Sequence, residues 1–236
     1  MENTNNHVNC NNCSLDSICF PRGLSQQEIN HISQIIRPKK TLQKGGYIFR
    51  EQGTFRGVLA IKSGTAKLVT HDPHGNEHIL NLLLPGELLG FDGLQNDKYR
   101  CSAIALDTLS FCELPAQSMN SLFLNVPSLT KELFRHSSEK MNDNKDIIIL
   151  NKRPAEERLA FFLISLSDRY QKRGFSATEF NLSLTRQEIG NHLGLALETV
   201  SRLFKKFAEE SLIQVKSKQI TIKDLAKLRA IYTCTK

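Results

Sequence analysis

Residues 184–207, LTRQEIGNHLGLALETVSRLFKKF, constrain the fold more than any other stretch, because they read as two short helices around a tight turn. Thr185 and Glu188 form a T-x-x-E capping box that starts the first helix and sets Ile189 and Leu193 on its inner face. Gly194 then punctuates. In the second helix Val200, Leu203, Phe204 and Phe207 recur at i, i+3, i+4, i+7. Glu198, Ser201, Arg202 and Lys205 follow the same spacing two residues earlier, roughly 200° round the helix. One face packs and the other reaches out with a guanidinium, a carboxylate, a hydroxyl and an ammonium, the groups that read base edges in a major groove. An amphipathic surface helix has the same periodicity, so the flanking residues matter. Ile213 and Val215, then Ile220 and Ile222, alternate with polar residues around the turn Lys216-Ser217-Lys218-Gln219, which predicts a two-stranded hairpin after the second helix. The expected module is a winged helix-turn-helix. Thr199 and Lys216 complete its candidate DNA contacts.

The charge distribution agrees. Formal net charge is +7, and from residue 152 to the end 16 Lys and Arg stand against 9 Asp and Glu, with 15 against 15 before it. A basic C-terminal domain on a neutral body suits a phosphate-binding module joined to a sensing or oligomerising partner. No run of about 18 apolar residues occurs, and the Asn-rich start has no signal-peptide core, so a cytoplasmic protein without membrane contact is expected. In that reducing setting the six cysteines are expected to be thiols, metal ligands or redox groups rather than disulfides.

Residues 1–9 read as disordered. Cys10, Cys13 and Cys19 follow, spaced C-x2-C-x5-C, and can wrap one inorganic centre. They supply three ligands where zinc or an iron-sulfur cluster usually takes four, so Cys101, Cys112, Cys234 or, for zinc, His7 must provide another. Residues 24–36 form an amphipathic helix capped by Ser25 with Glu28 three residues on. From residue 41 to 114, short alternating runs separated by Gly and Pro predict a small antiparallel roll or barrel: 47–49, 58–61, 66–69, 78–82, 102–105 and 109–114. Residues 127–150 read as one long helix whose possible seam is Val126, Leu133, Ser137, Met141, Asn144 and Ile148, polar in the middle and therefore a weak two-chain coil. Pro154 marks a hinge and opens the next helix. The fold class is α+β, with expected segments 1–23 (cysteine-rich), 24–126 (roll), 127–151 (dimerisation helix) and 152–236 (DNA-binding).

The C-x2-C-x5-C lead, the Gly-punctuated roll, the long helix, AEERLA and E-T-V-S-R together resemble the CRP/FNR superfamily of bacterial transcription regulators over nearly the whole chain. Within it the chain is similar to the FNR branch, the oxygen-responsive fumarate and nitrate reduction regulators. The resemblance implies a jelly-roll sensor domain like a cyclic-nucleotide-binding domain, a homodimer and an activator of anaerobic genes that contacts RNA polymerase, residues 71–77 resembling one activating surface. It also implies an oxygen-labile [4Fe-4S] cluster held by Cys10, Cys13, Cys19 and Cys112. The family's E-x-x-S-R lands on Glu198, Ser201 and Arg202, implying a TTGAT-type half-site in inverted repeat, while Leu197 stands where relatives have valine or arginine. Counting from Gly90 puts Phe91 and Cys101 where the cyclic-nucleotide branch has its ribose-binding glutamate and phosphate-binding arginine, which argues against nucleotide sensing.

An iron-sulfur redox protein is the alternative from another class. The chain shows no Gly-rich nucleotide loop and no acid/base pair at useful spacing, so an enzyme is not expected. A CRP-like regulator sensing cyclic nucleotide, haem or zinc is the other alternative.

Overall fold

The computed structural model describes residues 10–39 and 41–233; His7 and Cys234 lie outside them. The chain divides into two units, 1–141 and 142–236.

In the first unit a single 3-10 turn at Cys10–Asn12 leads to α1, Gln26–Ile35. The Ser25–Glu28 capping box is present in full, each side chain satisfying a backbone N–H at the helix start. Eight strands follow: β1 (Arg37–Pro38), β2 (Tyr47–Phe49), β3 (Gly57–Ser63), β4 (Ala66–His71), β5 (Glu77–Leu83), β6 (Leu88–Leu89), β7 (Ser102–Ala105) and β8 (Ser110–Pro115). They pair antiparallel into two four-stranded sheets, β1-β8-β3-β6 and β2-β7-β4-β5. The core takes Leu59, Ile61 and Leu114 from one sheet and Ala66, Leu83 and Ala103 from the other.

All six strands expected from alternation occur, and β1 and β6 are additional. A two-residue strand has no period to detect. Strand β3 is buried at five consecutive positions rather than alternately, because α2 (Ala116–Asn125) covers the outer side of β3 and β8. Helix α2 buries only Met119 and Leu122, too few to stand out in the sequence. Helix α3, Pro127–Leu150, has the expected ends, and its first turns bury Leu129 and Leu133 against the roll.

The second unit contains α4 (Ala155–Gln171), β9 (Glu179–Asn181), α5 (Arg186–Leu193), α6 (Leu197–Glu209), β10 (Ile213–Lys216), β11 (Gln219–Ile222) and α7 (Leu225–Thr233). Pro154 occupies the N-cap position of α4. The hairpin gains a third strand, since β9 pairs with β11 through Phe180↔Ile220. Among the described residues no helix is long and apolar enough to cross a membrane.

Candidate DNA interface and cysteine centre

Helices α5 and α6 form the helix-turn-helix. Thr185 and Glu188 make their capping box, and Gly194 takes the left-handed conformation, φ 63° and ψ 40°, that ends α5 without a Cβ penalty. Gly190, which the sequence did not single out, is needed for close approach: a Cβ there would stand 2.5 Å from the Leu195 carbonyl oxygen. The Leu195 N–H donates to the Gly190 carbonyl at 2.8 Å, closing the turn.

In α6 Val200, Leu203, Phe204 and Phe207 are all buried. Glu198, Ser201, Arg202 and Lys205 are exposed and Thr199 is half-buried. The side chains of Glu198, Ser201 and Arg202 bond to no described residue, so their hydrogen-bonding capacity faces solvent. Lys216 stands exposed where the wing hairpin turns, paired opposite Gln219. The Arg186 guanidinium lies 3.1 Å from the centre of the Phe204 ring, and burial lowers its pKa to about 10, leaving it charged at neutral pH.

Two further side chains hold this reader in place. Arg158, in AEERLA, donates through Nη1 to the Leu193 carbonyl at 3.1 Å and to the Gly194 carbonyl at 3.4 Å, capping the C-terminus of α5 with a cation. Glu156, from the same motif, pairs with Lys206 of α6 at 2.6 Å. Arg158→Met is expected to cost about 1–2 kcal/mol of stability in the C-terminal unit. Operator affinity should fall while its dependence on salt keeps the same slope, because no phosphate contact is removed. Chemical denaturation and salt-titrated binding check this, and unchanged stability would refute the capping role.

In the first unit, successive turns wrap the cysteine segment. Asp16 N–H donates to the Cys13 carbonyl at 3.1 Å and Cys19 N–H to the Leu15 carbonyl at 2.9 Å. Cys10 N–H donates to Ser33 Oγ at 3.4 Å, and Asn11 Nδ2 to Asn30 Oδ1 at 2.7 Å, pinning the segment to α1. Cys112 sits mid-strand in β8, opposite Pro38 of β1 and Ala60 of β3. Cys13 and Cys112 line one cavity of about 250 Å³, and Cys10 and Cys112 belong to one buried cluster against which Cys19 packs.

Burial is the main cause that raises the thiol pKa of Cys10, Cys19 and Cys112, the last to about 11, and neighbouring thiols add to the rise. Leu15 and Phe20 are buried around them, at 7% and 2% exposure, and Ile18 packs so close to Gly86 that a Cβ there would stand 2.6 Å from its Cδ1. Among the described residues no three His, Cys, Asp or Glu side chains stand close enough to share one metal ion. Cys10, Cys13, Cys19 and Cys112 are soft thiolate donors, the ligand type that iron-sulfur clusters take, with each thiolate on a different iron.

The nucleotide-gripping positions are differently used. Cys101 is buried and its thiol donates to Asp92 Oδ2 at 3.5 Å. Arg100 is turned to Gln95 Oε1 at 3.0 Å.

In the expected seam Met141 and Ile148 are 72% and 63% exposed, and Ser137 is half-buried. Val126 and Leu133 depart from the expectation: they are 1% and 7% exposed and belong to the core of the roll, so they face inward. Phe134, 72% exposed, takes the outward position and shares the seven-residue spacing of Met141 and Ile148.

Comparison with known proteins accords with these features. Residues 157–231 match a family model described as a Crp-like helix-turn-helix domain, and residues 39–125 one described as a cyclic nucleotide-binding domain. FixK2 from Bradyrhizobium japonicum has the same fold, with a TM-score of 0.77 at 22% identity over 86% of this chain and 100% of that one. A roll of the cyclic nucleotide-binding type with a Crp-like helix-turn-helix domain in the same chain defines a DNA-binding transcription regulator. The chain is 39% identical to the transcriptional activator protein Anr of Pseudomonas protegens over 96% of this chain and 93% of that one. It is 41% identical to the fumarate and nitrate reduction regulatory protein of Vibrio cholerae over 94% of this chain and 89% of that one. The chain belongs to the CRP/FNR family, whose members here are regulators rather than enzymes.

Proposed function

We propose that this protein is an oxygen-responsive regulator of anaerobic genes, acting in the cytoplasm as a homodimer on inverted TTGAT-type repeats. Cys10, Cys13, Cys19 and Cys112 hold a [4Fe-4S] cluster, and the meeting of the N-terminal cysteine segment with Cys112 at one cavity and in one buried cluster is the observation that carries the reading. Relatives named for anaerobic regulation and for fumarate and nitrate reduction support it. Bound there, the cluster would supply an oxygen-labile tie between the N-terminal segment and β8. The working segments are the cysteine-rich 1–23, the roll 24–126, the dimerisation helix 127–151 and the reader 152–236.

The chain's own contacts give the segment a grip on α3. Arg22 pairs with Glu139 at 3.5 Å, and Gly23 lies so near Glu132 that a Cβ would stand 2.8 Å from its Oε1. Seating the segment therefore biases α3, whose seam comprises Ser137, Met141, Asn144 and Ile148, with Phe134 in place of Leu133. A seam with polar positions makes a marginal dimer, so a coupling of about 1–3 kcal/mol suffices to shift it. In each protomer Glu198, Ser201 and Arg202 read base edges, with Thr199, Lys205 and Lys216 beside them. RNA polymerase meets the turn after β4, which the Asp72 carboxylate holds by accepting from the His74 and Asn76 N–H groups at 2.8 and 2.9 Å.

Analytical ultracentrifugation under argon and after air exposure, with operator binding on the same samples, tests the reading. A dimer that binds under argon and a weakly binding monomer in air are expected. An unchanged association state would end the dimerisation mechanism.

A further inference from the structure

The cavity at Cys13 and Cys112 has a cationic mouth that the thiols do not account for, since Lys62 and Ser63 of β3 both line it. Strands β3 and β8 pair as Ala60↔Cys112 and Ile61↔Phe111 and then skip to Ser63↔Ser110, so Lys62 is an extra residue in a β-bulge. In an unbroken strand consecutive side chains point to opposite faces, and only one of these two could look toward Cys112 and Ser110. The bulge turns both to the cavity, the re-aiming that bulges perform beside functional sites. Lys62 thereby shares one cavity with Cys13 of the N-terminal segment and Cys112 of β8. Lys39 is not equivalent, because its ammonium is already paired with Glu113 at 2.7 Å.

We propose that Lys62 is a positioning residue whose bulge-aimed ammonium is the counter-charge to the iron-sulfur group held by Cys10, Cys13, Cys19 and Cys112. The proposal rests on the cluster reading above. Four thiolates outweigh the positive charge of an iron-sulfur core, and a partly buried net anion needs compensation close by. Lys62 is exposed, so it can meet that need while its head stays hydrated, and its effect is open to screening by salt.

The test uses full-length wild type, Lys62→Met and Lys62→Arg, each reconstituted without oxygen from iron and sulfide. Visible absorbance then follows iron release to a chelator under argon. Lys62→Met is expected to release iron about tenfold faster at low salt, a modest effect for one nearby charge. Lys62→Arg should stay near the wild-type rate, and the gap between Met and wild type should narrow at high salt. Equal rates for Met and wild type, an Arg variant as fast as Met, or a gap indifferent to salt would each overturn the proposal while leaving the cluster reading intact. A wild type that takes up no iron or sulfide would remove the cluster reading itself. Should Lys62→Met not fold, Lys62→Gln makes the same change in charge.

Discussion

Cys112→Ser protein, prepared without oxygen, is expected to contain essentially no iron or acid-labile sulfide, whereas Cys101→Ser and Cys234→Ser keep the wild-type content. Cys112 is the only one of the four candidate ligands on a sheet strand, held between β1 and β3, while the other three ride on a segment of turns. Loss of that anchor leaves three donors on one short stretch, and a hydroxyl is a much harder ligand than a thiolate for iron-sulfur chemistry. Cys101 is bonded to Asp92 and serves as a small buried residue of the roll. Iron and sulfide assays decide the matter. Retention by Cys112→Ser together with loss in Cys101→Ser would reassign the fourth ligand.

The second large effect is on sequence reading. Arg202→Ala is expected to cost about 1–3 kcal/mol on cognate operator and to relax preference at one base pair, as loss of a two-bond guanine contact does. Its exposed side chain bonds to no described residue, so truncation removes a DNA contact without breaking a fold contact. Lys216→Ala should instead weaken cognate and scrambled DNA alike and flatten the salt dependence, since a phosphate contact carries no sequence information. Half-sites about one helical turn apart are expected for the dimer. Equal losses of Arg202→Ala on cognate and scrambled duplexes would refute the base-reading role.

What the sequence by itself determined is what local chemistry can specify. Both capping boxes, the stop at Gly194, the packed and free faces of α6 and the six strands of the roll read from alternation follow from residues within a few positions of one another. The C-x2-C-x5-C spacing likewise announces three of the thiols. The fourth was legible only through family resemblance, because nothing in the run 109–114 says which residues will lie across from it. Tertiary structure decided that Cys112 meets the N-terminal segment, that β1 and β6 pair although two residues carry no period, and that β9 joins the wing hairpin. It also turned Leu133 inward and Phe134 outward, through packing of α3 on the roll rather than through the heptad spacing. Arg158 reaching the end of α5 and Lys62 lifted by a bulge belong to the same class. Backbone propensity and periodicity act over one or two turns, whereas these features depend on which surfaces close around a core, and that is settled only when distant parts of the chain come together.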